Sequence, residues 1–400
     1  MKILRVMGTP SFNYGSQERY LVKLSKMLKE SGHQSFLVYE NQPQSSHFIE
    51  EAKSNGAHFF QVTPRRSLEF FFRNSIIAKI LKLWYNVFDI FSIIKIMKII
   101  KENNIDIVHS YFSPSIYAVF AGKLMGKRTF RTIGNPFLQP AKYHGKKINW
   151  LFDMKCKLIH IWPINFLNFQ ISISESINKE YIYYKADKKK LKIIRTGVDT
   201  EKYNPLPIKK NKLRKQYGLE NKFILGFTGR LDRQKNPLFL LELMKYLDKS
   251  FSDIVLVLVG DGELHEKIKS KAMDQGISDK VILAGRRHDI PNMLIDFDLF
   301  ILPSIFEGGP GSLLEAMSME KICITSKLEV FDEIINDGFD GYTRDLNNVK
   351  EFAKLITNIK QNPSLVTQVG KRARNNVLDN WNVDKRVKQT LAIYEVGSNE

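Results

Sequence analysis

The sequence predicts an α/β fold of two doubly wound domains that face each other across a cleft, where ligands of such folds bind. Short apolar runs typical of buried strands alternate with segments of helical periodicity. This rhythm stops in a polar, lysine-rich stretch near residue 200 and then starts again. A chain of 400 residues is also too long for one hydrophobic core. Together these observations indicate two α/β domains.

The first half begins with a predicted βαβ unit. A strand is expected at Lys2–Met7 and, after a glycine-containing loop, a helix from Ser16 that ends at Gly32. A second strand follows at Ser35–Tyr39, and strands joined in this way are parallel neighbours. Further strands of the predicted sheet are Ile105–His109, Thr129–Ile133 and Phe169–Ile173.

The second half is a more regular series. Strands are predicted at Phe223–Phe227, Ile254–Val259, Val281–Ala284, Leu299–Leu302 and Ile322–Thr325. Helices are predicted at Pro237–Leu247, Glu263–Gln275, Ile290–Asp296, Ser312–Met319 and about Asn382–Tyr394. We therefore predict an N-terminal domain of residues 1–198, a C-terminal domain of residues 199–380, and a C-terminal helix within residues 381–400 that can cross back to the first domain.

Composition and charge limit the possible partners. Hydrophobic residues make up 43% and charged residues 26% of the chain, which argues for packed cores and against disorder. The net charge of +19 suggests a phosphorylated ligand, an anionic membrane surface or nucleic acid, and a general excess of lysine is the plainer explanation. The basic residues are dispersed and match no nucleic-acid-binding module, so no nucleic-acid partner is expected and nucleic-acid binding remains only the weaker alternative.

Cysteine content and hydropathy bear on location. Cys156 and Cys323 cannot form a disulfide framework, which fits a reducing compartment. The first apolar run is too short for a signal peptide. Because no stretch of about 20 residues lacks charge, no transmembrane helix is expected. We expect a cytoplasmic protein.

Two aromatic and basic segments allow two interpretations. Phe70–Ile100 and Lys142–Asn168 both mix Phe and Trp with Lys. If they are helical, these segments could lie in the interface of an anionic membrane. Alternatively, they pack into the core of the first domain and keep their lysines in water, and the pattern does not decide between the two.

The stretch Pro303–Met317 combines features of an anion site. Leu299–Leu302 is expected to lead into it as a buried strand, and a helix is expected to begin near Ser312. Unpaired N–H groups and the helix dipole at such a turn attract an anion. Glu307 and Glu315 flank the turn, and carboxylates suit sugar hydroxyls. The stretch therefore predicts a site for a sugar linked to a diphosphate.

Both carboxylates also have plainer explanations. Ser312 and Glu315 fit a capping box, with Ser312 at the N-cap and Glu315 at the third helical position. Glu307 could be only a loop carboxylate. A cap and a ligand contact are compatible, because both place Glu315 at the mouth of the helix, and the glycines between the two glutamates favour the functional interpretation.

Two cations follow the first strand of the second domain. Arg230 comes directly after Gly229, and Lys235 lies five residues further on. An arginine can bind two oxygens at once and a lysine adds a point charge, so the pair suits a diphosphate; solvated loop residues are the alternative. Neither Val259–Glu263 nor the loop after Met7 has the Gly-x-Gly-x-x-Gly pattern, which counts against a nicotinamide-dependent oxidoreductase.

Three further residues have the chemistry of a site. Asp296 and Asp298 form an Asp-x-Asp pair, but their place between a short helix and a strand is explained by capping and turn roles. No His or Cys cluster has the spacing of metal ligands, so no metal is expected. His109 ends a strand and could face the cleft as a catalytic residue, or it could be a hydrogen-bonded core histidine.

The motifs resemble those of glycosyltransferase family 4 (glycosyl transferases group 1), which are retaining enzymes of the GT-B fold. The resemblance spans nearly the whole chain and is strongest from Phe223 to Asn336. It implies two Rossmann-like domains facing across a cleft. The motifs that carry it are Thr228–Leu231 with Lys235, Leu258–Gly262, Pro303-Ser304 with Glu307-Gly308, Leu314–Met317 and Glu333–Gly338.

The resemblance implies a role for each motif. Arg230 and Lys235 would hold the donor diphosphate. Glu315 would bind the ribose hydroxyls, and Glu307 would contact the donor sugar in catalysis. Gly15 would let a loop of the first domain approach the diphosphate. The residues implied to offer backbone N–H groups to sugar and phosphate are Gly308, Gly309, Gly311, Ser312 and Leu313.

The implied function is metal-independent, retaining hexosyl transfer in bacterial surface polysaccharide or glycolipid synthesis. The donor would be a nucleotide sugar, with a UDP-sugar ahead of a GDP-sugar, and the acceptor a glycan or a lipid-linked glycan. No other cofactor is implied, and the enzyme would meet the membrane from its cytoplasmic side. Thr132–Asn135 lacks the histidine often found in this loop, and Glu320–Phe331 departs from the family pattern. A catalytically silent scaffold is therefore the alternative, and the donor sugar is not implied.

Overall fold

The computed structural model describes residues 1–7, 16–39, 46–62, 89–111, 116–138, 150–248 and 250–396. The chain divides into two compact units. The first comprises Met1–Arg195 with Arg386–Glu400, and the second comprises Thr196–Lys385. The chain therefore returns to the first unit within the region predicted as a C-terminal helix.

The first unit contains a seven-stranded parallel sheet in the order β3-β2-β1-β4-β5-β6-β7. Its strands are β1 Lys2–Met7, β2 Gln34–Tyr39, β3 Ala57–Gln61, β4 Ile107–Tyr111, β5 Arg128–Ile133, β6 Phe169–Ser172 and β7 Leu191–Ile193. The α-helices among its described residues before residue 195 are α1 Ser16–Glu30, α2 Ser46–Ser54, α3 Ile90–Asn103, α4 Ile116–Leu124, α5 Trp150–Cys156 and α6 Glu175–Tyr183. A π-helical turn, Lys157–Ile161, and a 3-10 turn, Trp162–Phe166, lie between α5 and β6.

The second unit contains a six-stranded parallel sheet in the order β10-β9-β8-β11-β12-β13. Its strands are β8 Phe223–Thr228, β9 Ile254–Val259, β10 Val281–Gly285, β11 Leu299–Leu302, β12 Cys323–Ser326 and β13 Tyr342–Arg344. The helices from here to the C-terminus are α7 Lys212–Tyr217, α8 Pro237–Asp248, α9 His265–Asp274, α10 Ile290–Leu294, α11 Gly311–Ser318, α12 Glu329–Asp332, α13 Val349–Gln361, α14 Pro363–Asn380 and α15 Val383–Glu395.

Burial in the second sheet explains why its strands could be predicted from the sequence. Every residue of β9 and of β11 is buried, because helices cover both faces of a parallel sheet. β9 pairs with β8 and β10, and β11 pairs with β8 and β12, all in parallel register. Their continuous apolar runs form the largest core of the described residues. The predicted fold class, two parallel-sheet Rossmann-like domains, is confirmed.

The helix α15 packs in the first unit through polar contacts. The hydroxyls of Tyr20 and Thr390 lie 2.9 Å apart, and the guanidinium of Arg386 lies over the Tyr20 ring at 3.7 Å from its centre. Arg128 donates to the carbonyl oxygen of Tyr394 at 2.7 Å, so a cation satisfies the C-terminal end of the helix. The predicted helix at Asn382–Tyr394 is thus confirmed.

The aromatic and basic segments are only partly described, because residues 63–88 and 139–149 lie outside the described ranges. In α3, one face is buried in the core through Ile96, Ile99 and Ile100. The remaining part of that helix exposes Ile90 and Ile94, at 64% and 57%. No helix in the described part of the chain is both long and apolar enough to cross a membrane.

His160, on the π-helical turn, is a buried histidine, and its protonation destabilises the folded protein. Burial, Arg131 and Lys155 lower its pKa from about 6.5 to about 3, and its ring stacks on Phe137 with ring centres 4.3 Å apart. Below pH 6.5, His160 therefore binds a proton in the unfolded chain but stays neutral in the folded protein down to about pH 3. The free energy of unfolding falls as pH falls through this range.

We expect this group alone to remove roughly 2 kcal/mol of unfolding free energy between pH 7 and pH 5. Urea unfolding at both pH values should show a smaller loss in His160→Leu than in the wild type, because all other groups titrate alike in the two proteins. Equal losses would contradict the assignment.

Candidate active site

The candidate site lies at the carboxyl edge of the second sheet, where the loops after β8, β9 and β11 meet. The N–H of Gly229 donates to the carbonyl oxygen of Val259 at 3.0 Å, which joins the first two loops. The N–H of Ile305 donates to the carbonyl oxygen of Gln234 at 2.8 Å, which joins the third loop to the first. Ligands of parallel α/β sheets bind at this edge.

Glycines let the loops after β8 and β9 approach closely. Gly229 and Gly260 have φ values of +155° and +147°, which a side chain rarely tolerates. A Cβ at Gly260 would overlap the carbonyl oxygen of Gly229, and one at Gly262 would lie 2.5 Å from the carbonyl oxygen of Leu231. The glycines after β9, which carry little information as a sequence pattern, are therefore required for packing between loops.

Lys235 and Glu307 form a largely buried ion pair across the β8 and β11 loops. The Lys235 Nζ lies 2.5 Å from the Glu307 Oε1, and their side chains are 13% and 5% exposed. Ser304 Oγ donates to the same Glu307 oxygen at 2.7 Å, and Ser326 Oγ donates to the carbonyl oxygen of Ser304. Two predicted site residues, 72 positions apart, are thus in direct contact.

Arg230 lies on the same loop as Lys235 and is 63% exposed. Its Nη1 lies 2.6 Å from Asp232 Oδ2, and its Nη2 donates to Gln234 Oε1 at 2.9 Å. Sequence reasoning missed Asp232, Gln234 and the role of Ser304. Only the position of the first two beside Arg230 could have drawn attention to them.

The structure corrects the predicted capping box. The helix α11 begins at Gly311 and its N-cap is Pro310, without a side-chain cap. Ser312 is therefore the second helical residue and too far into the helix to cap it. Glu315 lies in the fifth helical position and is 8% exposed, so helix capping does not explain it.

The remaining predicted residues at this turn surround the helix mouth. Gly308 is buried, Gly309 and Gly311 are half-buried, and the Leu313 side chain packs in the core. The N–H of Gly311 donates to the carbonyl oxygen of Gly309 and that of Leu313 to the carbonyl oxygen of Pro310, so these two predicted donors are engaged within the turn. Gly15 lies outside the described residues.

Two hydroxyls at this edge lack partners within the described part of the chain. Thr228 Oγ1, at the end of β8, and Ser312 Oγ, in the first turn of α11, are buried without a hydrogen bond. Buried polar atoms are nearly always paired in folded proteins. These two hydroxyls lie at the same sheet edge as Arg230 and Lys235.

His109 is a core residue, which corrects the prediction of a catalytic role. It is fully buried in β4, with its Nδ1 2.5 Å from the Tyr394 hydroxyl and its Nε2 2.8 Å from Thr132 Oγ1. Burial and the charges of Arg5 and Arg386 hold its pKa well below the usual value. Both imidazole nitrogens are therefore engaged within the protein, and the ring has no exposed surface with which to contact a substrate.

Asp296 and Asp298 have the structural roles predicted for them. Asp296 Oδ1 accepts from the N–H of Asn211 at 2.6 Å, and its Oδ2 accepts from that of Leu213 at 2.8 Å, at the start of α7. Asp298 Oδ2 accepts from the N–H of Ile224 at 2.7 Å. The pair therefore anchors α7 and β8.

Solved structures share this fold over nearly the whole chain. A glycosyltransferase from Rickettsia africae superposes with a TM-score of 0.79 at 21% identity, over 100% of this chain and 99% of that one. Anabaena HepE in complex with UDP superposes with a TM-score of 0.76 at 17% identity, over 99% and 100% of the two chains. The fold is that of the GT-B glycosyltransferases.

Sequence comparisons identify the family. A family model described as "Glycosyl transferases group 1" matches residues 209–376, and one described as "Glycosyltransferase Family 4" matches residues 17–202. The UDP-Gal:alpha-D-GlcNAc-diphosphoundecaprenol alpha-1,3-galactosyltransferase of Escherichia coli is 30% identical over 304 residues, which cover 74% of this chain and 76% of the relative. The chain belongs to glycosyltransferase family 4, and the resemblance found in its motifs is confirmed.

Proposed function

We propose that this glycosyltransferase moves a hexose from a nucleotide-diphosphate sugar to a glycan or lipid-linked acceptor, with retention of configuration, in the synthesis of a bacterial surface polysaccharide or glycolipid. The observation that carries the proposal is the contact of Lys235 with Glu307 beside Arg230, at the mouth of α11. Cations suited to a diphosphate and a carboxylate suited to sugar hydroxyls thereby lie together at the carboxyl edge of the second sheet.

In the proposed mechanism, Arg230 and Lys235 bind the diphosphate and stabilise the charge that it gains as the glycosidic bond breaks. The backbone N–H groups of Gly308, Gly309 and Ser312 add to this at the helix mouth, since those of Gly311 and Leu313 donate to the carbonyl oxygens of Gly309 and Pro310. Glu315 binds the ribose hydroxyls. Glu307 Oε1 is held by Lys235 and Ser304, which leaves Oε2 for a hydroxyl of the donor sugar.

We propose that no metal ion takes part. In some other glycosyltransferases an Asp-x-Asp pair holds a divalent cation against the diphosphate. Here Asp296 and Asp298 are bound to backbone N–H groups of α7 and β8, so their oxygens serve the fold. Charge neutralisation then falls to Arg230 and Lys235. Full transfer activity in the presence of excess EDTA is the expected result, and loss that Mg²⁺ restores would contradict it.

The donor nucleotide is proposed to be UDP. The Escherichia coli relative is named for a UDP-Gal donor, and the Anabaena neighbour was solved with UDP. Thermal unfolding with UDP, GDP and ADP tests this directly. UDP at about 100 times its dissociation constant should add roughly 2.7 kcal/mol to the unfolding free energy. Arg230→Ala should reduce the shift, and no shift with any nucleotide would contradict the proposed function.

The acceptor is proposed to be lipid-linked, as the name of the Escherichia coli relative states for that enzyme. Exposed apolar side chains on the first unit support a membrane contact. Ile90 and Phe91 on α3 are 64% and 48% exposed, and Trp150 on α5 is 71% exposed. Exposed Lys95 and Lys98 follow on α3, and lysines beside apolar side chains suit an anionic lipid surface.

Co-sedimentation with vesicles tests this contact. The protein should bind vesicles rich in anionic lipid more than neutral ones, and rising salt should weaken the binding. Replacing Ile90 and Ile94 by Ser should lower binding, whereas Leu206→Ser, at an 86% exposed position of the second unit, is the matched control. Equal partitioning into neutral and anionic vesicles would contradict the electrostatic part of the proposal.

A further inference from the structure

The guanidinium of Arg230 is held on two sides although most of its side chain is exposed to solvent. Asp232 Oδ2 lies 2.6 Å from Nη1, and Gln234 Oε1 accepts from Nη2 at 2.9 Å. We call Asp232 and Gln234 the Arg230 clamp. An exposed arginine without such partners samples many rotamers, so the clamp fixes one of them.

Each member of the clamp is itself fixed by the backbone. Asp232 Oδ1 accepts from the N–H of Lys235 at 2.9 Å. The side chain of Gln234 donates from Nε2 to the carbonyl oxygen of Phe306 at 3.1 Å. The main-chain carbonyl oxygen of Gln234 accepts from the N–H of Ile305. Arg230 is thereby tied to the same two loops that hold the Lys235–Glu307 pair. The clamp therefore links the guanidinium to the main chain of both loops.

The clamp leaves Arg230 able to bind a ligand. A guanidinium has five N–H donors, and the clamp occupies one on Nη1 and one on Nη2. The other donors remain for phosphate oxygens. Because Arg230 is 63% exposed, its ion pair with Asp232 contributes little to folding, and a contact of that kind is not explained by stability.

We propose that Asp232 and Gln234 are positioning residues that hold Arg230 in its diphosphate-binding conformation before the donor arrives. The proposal rests on the proposed function, since it assigns Arg230 to the diphosphate. The clamp lowers the conformational entropy that donor binding would otherwise remove from the arginine. Its loss should weaken nucleotide binding through Arg230 alone.

The test is a double-mutant cycle on UDP binding, measured by isothermal titration calorimetry. Gln234→Met keeps the length of the side chain and removes its hydrogen bonds, so UDP should bind roughly two- to tenfold more weakly. In an Arg230→Ala background the same change should have no further effect, because the group on which Gln234 acts is gone. Asp232→Asn should behave like Gln234→Met.

Controls separate this role from charge and from folding. Arg233→Ala removes an exposed cation from the same loop and should leave UDP affinity close to that of the wild type. Loss of the bond to Phe306 should lower the unfolding free energy of Gln234→Met without ligand by about 1 kcal/mol in both the wild-type and the Arg230→Ala background. A much larger loss of unfolding free energy together with weaker binding would assign the residue to loop stability and overturn the proposal.

Two other outcomes would also overturn it, and they are distinct from failure of the proposed function. Gln234→Met could bind UDP as tightly as the wild type while Arg230→Ala binds it weakly. Alternatively, Gln234→Met could weaken binding equally in both backgrounds, which would show that it acts independently of Arg230. Failure of the wild type to bind UDP, GDP or ADP would remove the proposed function itself, together with the clamp.

Discussion

Glu307→Gln is expected to lower the rate of sugar transfer by about two orders of magnitude. In the proposed mechanism the carboxylate contacts the donor sugar and at the same time fixes the Lys235 ammonium. Removing one preorganised polar group that acts on the transition state typically costs roughly 10²- to 10³-fold in kcat. The glutamine keeps the shape of the side chain, so the loss reports the charge.

Stability must be separated from chemistry in this experiment. Glutamine at position 307 leaves the Lys235 ammonium, 13% exposed, without its carboxylate, which we expect to cost about 1–3 kcal/mol of unfolding free energy. The double variant Glu307→Gln with Lys235→Met removes both charges. It should recover much of the stability and none of the activity.

Steady-state transfer assays and urea unfolding of the same variants check both expectations. Glu220→Gln, at an exposed position of the second unit, is the matched control for loss of one carboxylate. A double variant that regained activity together with stability would show that Glu307 is only a partner of Lys235. Full transfer by the single variant would remove Glu307 from the proposed mechanism.

The contact between Lys235 and Glu307 also shows what sequence reasoning could reach. Each residue was predicted from its own loop, as a cation after a strand and as a carboxylate beside glycines. Their ion pair spans 72 positions and depends on β8 and β11 being neighbours in the sheet, which no local pattern specifies. The chemistry was predictable, whereas the pairing required the topology.

The predictions of a capping box at α11 and of a catalytic role for His109 failed for a different reason. Ser312 and Glu315 match the sequence pattern of a capping box, but the helix begins at Gly311 and its N-cap residue is Pro310. His109 was expected at the end of the strand Ile105–His109, and a histidine at a strand end fits a core and a cleft equally well. Three-dimensional contacts with Thr132 and Tyr394 decided between these alternatives.

Strand prediction succeeded where burial was complete. The strands that sequence reasoning omitted are β3, β7 and β13, and all of them lie at an edge of their sheet. Edge strands have one unpaired side and are often short, so their apolar pattern is weak. β3 illustrates this, since only its first residue, Ala57, is buried. The central strands β8, β9 and β11 have long apolar runs and were predicted to within a residue or two.

Gly260→Ala is expected to destabilise the second unit by about 3 kcal/mol or more and to abolish nucleotide binding. The backbone at this position has φ +147°, and a Cβ would overlap the carbonyl oxygen of Gly229. Conformational strain of this kind costs about 1–3 kcal/mol, and overpacking against main chain adds a similar amount. The loop after β8 would have to move, and it carries Arg230 and Lys235.

Gly276→Ala provides a control for the strain alone. Gly276 also has a positive φ, +68°, but nothing lies within 4 Å of a Cβ built there. We expect it to cost about 1 kcal/mol and to leave nucleotide affinity unchanged, because no loop is displaced. Urea unfolding and UDP titration of the two variants therefore isolate the close approach of the β8 and β9 loops. Equal unfolding free energies and equal UDP affinities of the two variants would contradict the view that the close contact between the β8 and β9 loops sets the geometry of the site.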